Sequence, residues 1–247
     1  MKAMVLAAGL GTRLRPLTND RPKALVEVAG RTLLEITLTR LRTFGIREVI
    51  VNVHHFADMV VDYLKSRDNF GIRIEVSRED VLLDTGGGLK KAAWFFLEGS
   101  GRDEAFLLHN VDVISTIDFT KMVQDHTANQ PLATLAVQKR ASNRQLLFDE
   151  HQQLCGRSAD RDQIPEIVRS SPRTQSLAFS GIHVISSSLL AKMTEEGVFS
   201  IITSYLRLAG RGESIVAFRA DEYRWRDLGR VEDLQQAEQD LRHKAAL

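Results

Sequence analysis

Near its N-terminus the chain reads Ala3-Met4-Val5-Leu6-Ala7-Ala8-Gly9-Leu10-Gly11, an unbroken apolar run that passes directly into a loop with two glycines. A strand that is apolar at every position is typical of a sheet covered on both faces, because neither face then meets solvent. Ala3 to Ala8 is therefore predicted to be a buried strand. The glycine loop follows at its carboxyl end.

Three further segments in the first half of the chain have the same character. They are Glu48 to Val53, Ile72 to Val76 and Ala105 to His109, and stretches with a helical spacing of apolar residues separate them. Strand, helix and strand in repetition require parallel pairing through right-handed crossovers. We therefore expect an α/β fold with a doubly wound, mostly parallel sheet that binds its ligands at the carboxyl ends of the strands.

The second half of the chain is less regular. Strands are predicted near residues 132–137, 177–185 and 214–218, and helices near 188–193, 200–209 and from 231 onward. The polar stretch from Gln138 to Arg173 contains Pro165 and Pro172 and is expected to form a small subdomain or lid.

Composition excludes several classes of partner. Lys and Arg number 33 against 32 Asp and Glu, so the net charge of +1 offers no overall field for nucleic acid or an anionic membrane. The longest stretch without these four residue types, Thr174 to Ala191, holds five serines and is unlike a membrane span. The single cysteine, Cys155, fits a reducing compartment, and a cytoplasmic location is expected.

The glycine loop concentrates positive charge on this nearly neutral chain. From Gly9 to Lys23 there are four basic residues and one acid, Asp20; the basic residues are Arg13, Arg15, Arg21 and Lys23. Glycines let backbone N–H groups approach an anion closely, so the loop favours a polyphosphate ligand. It lacks the Gly-Lys-Ser/Thr of a P-loop, and Leu14 stands where the dinucleotide fingerprint needs a third glycine.

The stretch from Leu6 to Thr18, followed by Arg21-Pro22-Lys23, resembles the signature of the sugar nucleotidyltransferase family, Leu-Ala-Ala-Gly-x-Gly-Thr-Arg-Leu-x-Pro-Leu-Thr and then x-Pro-Lys. The likeness extends over nearly the whole chain, through Asp84-Thr85-Gly86-Gly87-Gly88, Asn110-Val111-Asp112, Phe179-Ser180-Gly181 and Trp225-Arg226-Asp227-Leu228-Gly229. Within the family, the chain is most similar to short N-acetylmuramate 1-phosphate uridylyltransferases and to mannose-1-phosphate guanylyltransferase-like proteins.

This resemblance implies a Rossmann-like nucleotidyltransferase fold and a Mg²⁺-dependent transfer of a nucleotidyl group from an NTP to a sugar 1-phosphate. Residues 1–247 would form one domain, with a nucleotide-binding half at 1–130 and a small, irregular sugar-binding half at 131–247. By resemblance, Lys23 and Arg13 are the catalytic cations. The nucleotide would contact Leu6, Ala8, Gly9, Gly11, Thr12, Arg13, Lys23, Asp84, Thr85 and Gly86.

The resemblance also implies a metal and a sugar site. Asp112 and Asp227 correspond to the aspartates that hold Mg²⁺ in the family, and Asn110 and Gly181 to residues beside the sugar. Val111 departs from the usual Asn-Gly-Asp pattern. The N–H groups at the start of the helix opened by Asp84 to Gly88 are expected to be free for the base and ribose.

Glu79 falls where many relatives have a base-reading glutamine, and a carboxylate accepts hydrogen bonds but does not donate them. A pyrimidine needs less room than a purine at the helix start formed by Gly86 to Gly88, which favours UTP, with GTP as the other candidate. The protein is expected to be a monomer or a homodimer.

Two other functions stay open from the sequence. A phosphocholine cytidylyltransferase shares the N-terminal signature, although two Trp and three Tyr offer little for an aromatic cage. A non-catalytic nucleotide-sensing regulator could use the same fold. Retention of Lys23, Asp112 and Asp227 argues against the regulator.

Overall fold

The computed structural model describes residues 1–98, 103–159 and 164–242. Its strands are β1 (Lys2–Leu6), β2 (Glu27–Val28), β3 (Arg31–Thr32), β4 (Glu48–Val53), β5 (Arg73–Arg78), β6 (Ala105–Asn110), β7 (Val113–Ser115), β8 (Ala133–Gln138), β9 (Arg144–Phe148), β10 (Leu154–Ala159), β11 (Glu166–Ile167), β12 (Gln175–Ser186), β13 (Ile215–Arg219) and β14 (Trp225–Asp227). Its helices are α1 (Leu33–Thr43), α2 (Ala57–Ser66), α3 (Asp84–Lys91), α4 (Ala93–Leu97), α5 (Phe119–Asn129), α6 (Ser188–Ala191), α7 (Ile201–Gly210) and α8 (Val231–Arg242). Short 3₁₀ helices span Thr12–Leu14, Lys23–Leu25 and Asp68–Gly71.

The main sheet confirms the doubly wound α/β prediction. Its strand order is β11-β10-β9-β12-β6-β1-β4-β5, and β8 pairs with both β12 and β13. The strands predicted first, β1, β4, β5 and β6, pair in parallel. Strand β12 runs antiparallel to β6 and joins the second half of the chain to the same sheet.

Apolar clusters cover both faces of this sheet, because alternate residues of each strand point to opposite sides. In β1, Ala3 and Val5 belong to one cluster and Met4 to the other. Residues of α1, α2, α5 and α8 pack in the first cluster, and residues of α3, α4, α6 and α7 in the second. Within the described ranges, no helix is both long and apolar enough to cross a membrane.

The prediction of a small subdomain or lid for Gln138 to Arg173 is wrong for the residues that the structure describes there. Strands β9, β10 and β11 instead extend the main sheet by antiparallel pairing. Their inward side chains, Leu146, Phe148 and Leu154, are buried in the second cluster. These strands were missed because they are short and β10 is shifted in register at Cys155, so the alternation of apolar residues is interrupted.

Candidate functional site

A cavity of about 530 Å³ lies at the carboxyl ends of β1, β4 and β6, the edge of the sheet where a ligand was predicted. It is bounded by residues far apart in sequence, including two from the second half of the chain. The lining residues are Leu6, Ala8, Gly9, Leu10, Gly11, Thr12, Arg13, Lys23, Asn52, Leu82, Asp84, Thr85, Asn110, Val111, Asp112, Val198 and Gly229. Gly86, Gly181 and Asp227 were also predicted as site residues but do not line it.

The glycine loop folds back on itself at Gly11, whose φ of +64° is a left-handed conformation. A Cβ there would lie 2.9 Å from Thr18 Cγ2 and 3.0 Å from Lys23 Cβ. The hydroxyl of Thr18 donates to the Gly11 carbonyl at 2.9 Å. Gly11 therefore permits the close approach that brings Lys23 to the cavity.

Lys23 is only 7 % exposed, and its ammonium forms an ion pair with Asp112 Oδ2. A buried ammonium is costly unless it is paired and hydrogen-bonded. The predicted catalytic cation and one of the predicted metal ligands therefore contact each other directly. An ammonium has three N–H donors, so this contact leaves donors for a ligand.

Asp227 reaches the same place through the pairing of β14 with β7. Asp227 lies opposite Val113 in this pairing, and Leu228 N donates to Asp112 O at 2.7 Å. Burial, and then the negative charge of Asp112, raise the pKa of Asp227, while Lys23 lowers it. The effect of Asp112 on the pKa of Asp227 places the two carboxylates in one electrostatic environment.

Two carboxylates fit the usual protein share of a Mg²⁺ site, which keeps several water or phosphate ligands. No group of three or more His, Cys, Asp or Glu residues in the described part of the chain could hold a metal ion. A metal at Asp112 and Asp227 would thus take its other ligands from phosphate oxygens and water.

Gly229 allows Arg13 and Asp227 to approach the backbone of the following loop. A Cβ at Gly229 would lie 2.5 Å from Arg13 Nη2 and 2.6 Å from Asp227 Oδ1. The charges of Arg13, Lys23, Asp112 and Asp227 sum to zero when all four are ionised.

The two predicted sugar-site residues lie next to each other. Gly181 has a φ of +72°, and a Cβ there would lie 2.9 Å from Asn110 Nδ2. Asn110 lines the cavity and Gly181 lies behind it. Val111, the departure from the family pattern, is buried and donates its N–H to Leu6 O at 3.1 Å, so valine fits between the strand ends.

Sequence reasoning missed the pair formed by Arg140 and Trp225. The guanidinium of Arg140 lies 3.7 Å from the Trp225 ring centroid and donates from Nη2 to Phe179 O at 2.7 Å. The indole N–H of Trp225 donates to Ser180 O at 2.7 Å. Burial lowers the pKa of Arg140, and the negative charge of Asp227 opposes that shift. The Trp225 signal was present inside the Trp-Arg-Asp-Leu-Gly motif, whereas Arg140 lies in the segment predicted as a lid.

The start of α3 differs from the prediction. The N–H groups of Gly86 and Gly87, expected to be free for a ligand, both donate to Phe199 O, at 2.9 and 3.2 Å. That part of the prediction is wrong, because a distant segment of the chain already caps this helix. Asp84 and Thr85 do line the cavity, and a nucleotide contact from Gly86 stays a prediction.

Glu79 acts inside the protein and does not line the cavity. It is 5 % exposed, with Oε1 accepting from Asn52 Nδ2 at 2.7 Å and Oε2 from Leu83 N at 2.9 Å. Asn52 Oδ1 in turn accepts from Ala7 N at 2.7 Å. It is Asn52 that lines the cavity, and its only sequence signal was an amide at the end of an otherwise apolar strand.

Comparison with known proteins gives relatives of one kind. An N-acetylmuramate alpha-1-phosphate uridylyltransferase of Caulobacter vibrioides is 56 % identical over 100 residues, 39 % of this chain and 41 % of that protein. A probable mannose-1-phosphate guanylyltransferase 2 of Oryza sativa is 36 % identical over 140 residues, 56 % of this chain and 38 % of that protein. The chain thus spans about two fifths of the length of these curated relatives.

Solved structures share the fold over nearly the whole chain. HddC from Yersinia pseudotuberculosis, solved with GMP-PN, superposes with a TM-score of 0.76, covering 97 % of this chain and 99 % of that one at 20 % identity. The family described as nucleotidyl transferase matches residues 2–148, more than half of the chain. That range contains the glycine loop, Lys23 and Asp112, and the chain belongs to the nucleotidyl transferase family.

Proposed function

We propose that this protein transfers a nucleotidyl group from an NTP to a sugar 1-phosphate. A phosphate oxygen of the sugar phosphate attacks the α-phosphorus, the bond to the β-phosphate oxygen breaks, and pyrophosphate leaves. The observation that carries this proposal is the convergence of Lys23, Arg13, Asp112 and the glycine loop on one cavity, with Asp227 directly behind them. The names of the matched relatives agree with it.

The chain's own cations suit this reaction because phosphoryl chemistry depends mainly on alignment and on neutralising charge. Lys23, held by Asp112, would direct its remaining N–H donors to the α-phosphate and the incoming phosphate. Arg13, beside Asp227, would hold the departing pyrophosphate together with the N–H groups of Gly11 and Thr12. Lys23 is buried at the cavity wall and paired with Asp112, and this fixed position favours a role in the transfer step.

Magnesium is part of the proposal, with Asp112 and Asp227 as its protein ligands. When bound, the ion would supply positive charge to the phosphate oxygens and help to align them. The charge balance supports this requirement, since the four ionised side chains sum to zero. These four side chains therefore present a net positive charge to a polyphosphate only when a cation is bound beside them.

For the substrates, we propose UTP first and GTP second, with a hexose 1-phosphate held near Asn110 and Gly181. The 56 % identity to a uridylyltransferase favours the uracil nucleotide. Arg140 lies on the sugar side of the site, within the field of Asp227.

The test is pyrophosphate release across four NTPs combined with the 1-phosphates of glucose, mannose, N-acetylglucosamine and N-acetylmuramate, and with phosphocholine. We expect release with UTP and one of the sugar phosphates, its loss with a chelator, and a much lower kcat for Lys23→Ala. Release only with CTP and phosphocholine would mean that the second substrate is a phosphorylated aminoalcohol and not a sugar phosphate. A folded protein inactive in every combination would favour a nucleotide sensor.

A further inference from the structure

Residues 195–201, here called the 195–201 segment, belong to the second half of the chain but lie against the start of α3. Phe199 N donates to Leu83 O at 3.2 Å, and Phe199 O accepts from Gly86 N and Gly87 N. Ile201 N donates to the Thr85 hydroxyl at 3.0 Å. Backbone groups on both sides of Phe199 are therefore tied to one helix terminus.

The glycines of α3 make this contact possible. A Cβ at Gly86 would overlap the ring of Phe199, and a Cβ at Gly87 would overlap the carbonyl oxygen of Gly197. The glycine run thus accommodates the chain's own 195–201 segment. The backbone N–H groups of Gly86 and Gly87 are therefore not free for a ligand.

The other end of the segment is held by charged groups. Glu195 accepts from Arg207 Nε at 2.7 Å and from Arg207 Nη2 at 3.0 Å, and Lys90 Nζ donates to Glu195 O at 2.6 Å. Burial would raise the pKa of Glu195, but hydrogen bonds from Arg207, from its own backbone and from Ser204, together with the charge of Arg207, lower the pKa to about 2. The ion pair is accordingly intact throughout the physiological pH range.

Val198 lies between these two attachments and reaches the cavity. It is 65 % exposed, yet it lines the cavity together with Leu82, Asp84 and Thr85. None of these four side chains is basic, whereas Arg13 and Lys23 come from the glycine loop and its continuation. The phosphates of a nucleotide are expected next to the cations Arg13 and Lys23. Its base and ribose are then expected next to Val198 and Leu82.

We propose that the 195–201 segment is a fixed wall of the nucleotide pocket and that Val198 contacts the base of the NTP. The proposal rests on the proposed function, since it deepens the description of the same pocket. An isopropyl side chain offers apolar surface to the flat face of a base without a hydrogen bond. Val198 therefore contributes to affinity for the nucleotide and leaves the sugar phosphate untouched.

Calorimetric binding of UTP and GTP with Mg²⁺, without sugar phosphate, tests the contact directly. Val198→Ala is expected to weaken nucleotide binding by about three- to ten-fold, because apolar surface is lost from the contact. Val198→Asp is expected to weaken it further, since a carboxylate would repel the nucleotide. The matched control is Val81→Ala, because Val81 is 66 % exposed in the same region but does not line the cavity.

A second pair of variants tests how the wall is held. Gly86→Ala is expected to lower nucleotide affinity by displacing the Phe199 ring, and Phe199→Ala added to it is expected to restore part of that affinity. Gly87→Ala faces a backbone carbonyl, so Phe199→Ala is not expected to rescue it. Equal behaviour of the two glycine variants would overturn the assigned contacts.

The outcomes separate this inference from the proposed function. A wild-type protein that binds no NTP would end both. A wild-type protein that binds NTP with a Kd unchanged in Val198→Ala and Val198→Asp would overturn the wall contact alone. A loss of affinity in the Val198 variants but not in Val81→Ala, with the KM for sugar phosphate unchanged in turnover assays, supports it.

Discussion

At the scale of single residues, Asp227 combines a functional position with a local cost in stability. Its carboxylate is partly removed from water and lies in the field of Asp112, and both effects raise its pKa. A raised folded-state pKa means that the folded protein binds the proton more tightly than the unfolded chain does. The free energy of unfolding therefore falls as the pH rises through that pKa.

Asp227→Asn is consequently expected to raise the melting temperature at pH 7 in the absence of Mg²⁺, while it removes most of the turnover. The gain should shrink as the pH falls through the ordinary range of an aspartate, because the wild-type carboxyl is then protonated too. Thermal melts at several pH values, with pyrophosphate release measured on the same samples, check both parts. A stabilisation of the variant relative to the wild type that is no larger at pH 7 than at pH 3 would contradict the burial argument, and a fully active variant would remove Asp227 from the site.

At the scale of elements, the irregular stretch of β12 provides the carbonyl groups to which the side chains of Trp225 and Arg140 donate hydrogen bonds. The register between β12 and β8 shifts between Phe179 and His183. The carbonyls of Phe179 and Ser180 then accept hydrogen bonds from Arg140 and Trp225 side chains. This arrangement places Gly181, whose positive φ is a left-handed backbone conformation, against Asn110.

Arg140→Ala is expected to lower the free energy of unfolding by about 1–3 kcal/mol, because the Phe179 carbonyl loses its partner and Trp225 loses a stacked neighbour. Urea denaturation measures the change. Arg144→Ala is the control, since Arg144 is an exposed residue at the start of β9. Equal effects of the two substitutions would mean that the contacts of Arg140 contribute nothing specific.

The sequence predicted elements well where the structural cause is local. The parallel strands β1, β4 and β6 are largely apolar runs, whereas β5 alternates polar with apolar residues. The predicted and observed bounds of all four differ by at most two residues. The strands β9 to β11 were missed because the register shift at Cys155 interrupts the alternation of apolar residues and because β11 has only two residues. For the site, Lys23 and Asp112 lie within motifs, whereas Val198 and Arg140 reach it only through tertiary contacts and carry no local signal.

At the scale of the whole molecule, the balance of charged side chains around the cavity affects how nucleotide and Mg²⁺ would bind there. The cavity wall combines the glycine loop with Val198 and Gly229, so a nucleotide bound there as proposed would contact both halves of the chain. The ionised side chains of Arg13, Lys23, Asp112 and Asp227 cancel one another. Nucleotide and Mg²⁺ should therefore assist each other's binding.

Thermal shift measurements are expected to show a small stabilisation by UTP alone, a small one by Mg²⁺ alone, and more than their sum when both are present. Saturation at one hundred times Kd corresponds to about 2.7 kcal/mol of added stability. The Asp112→Asn and Asp227→Asn variants should lose the excess. Strictly additive shifts in the wild type would contradict a shared metal and nucleotide site.

The contribution of Val198 and Gly229 to the cavity also bears on how the protein is made. A ribosome synthesises the glycine loop long before Gly229, so a nascent chain has all of its proposed phosphate-binding cations well before its pocket has a complete wall. A nascent chain that ends before Gln175 also lacks β12, the strand that joins β6 to β8 and β9. The proposed nucleotide pocket is thus complete only after Gly229 has been synthesised.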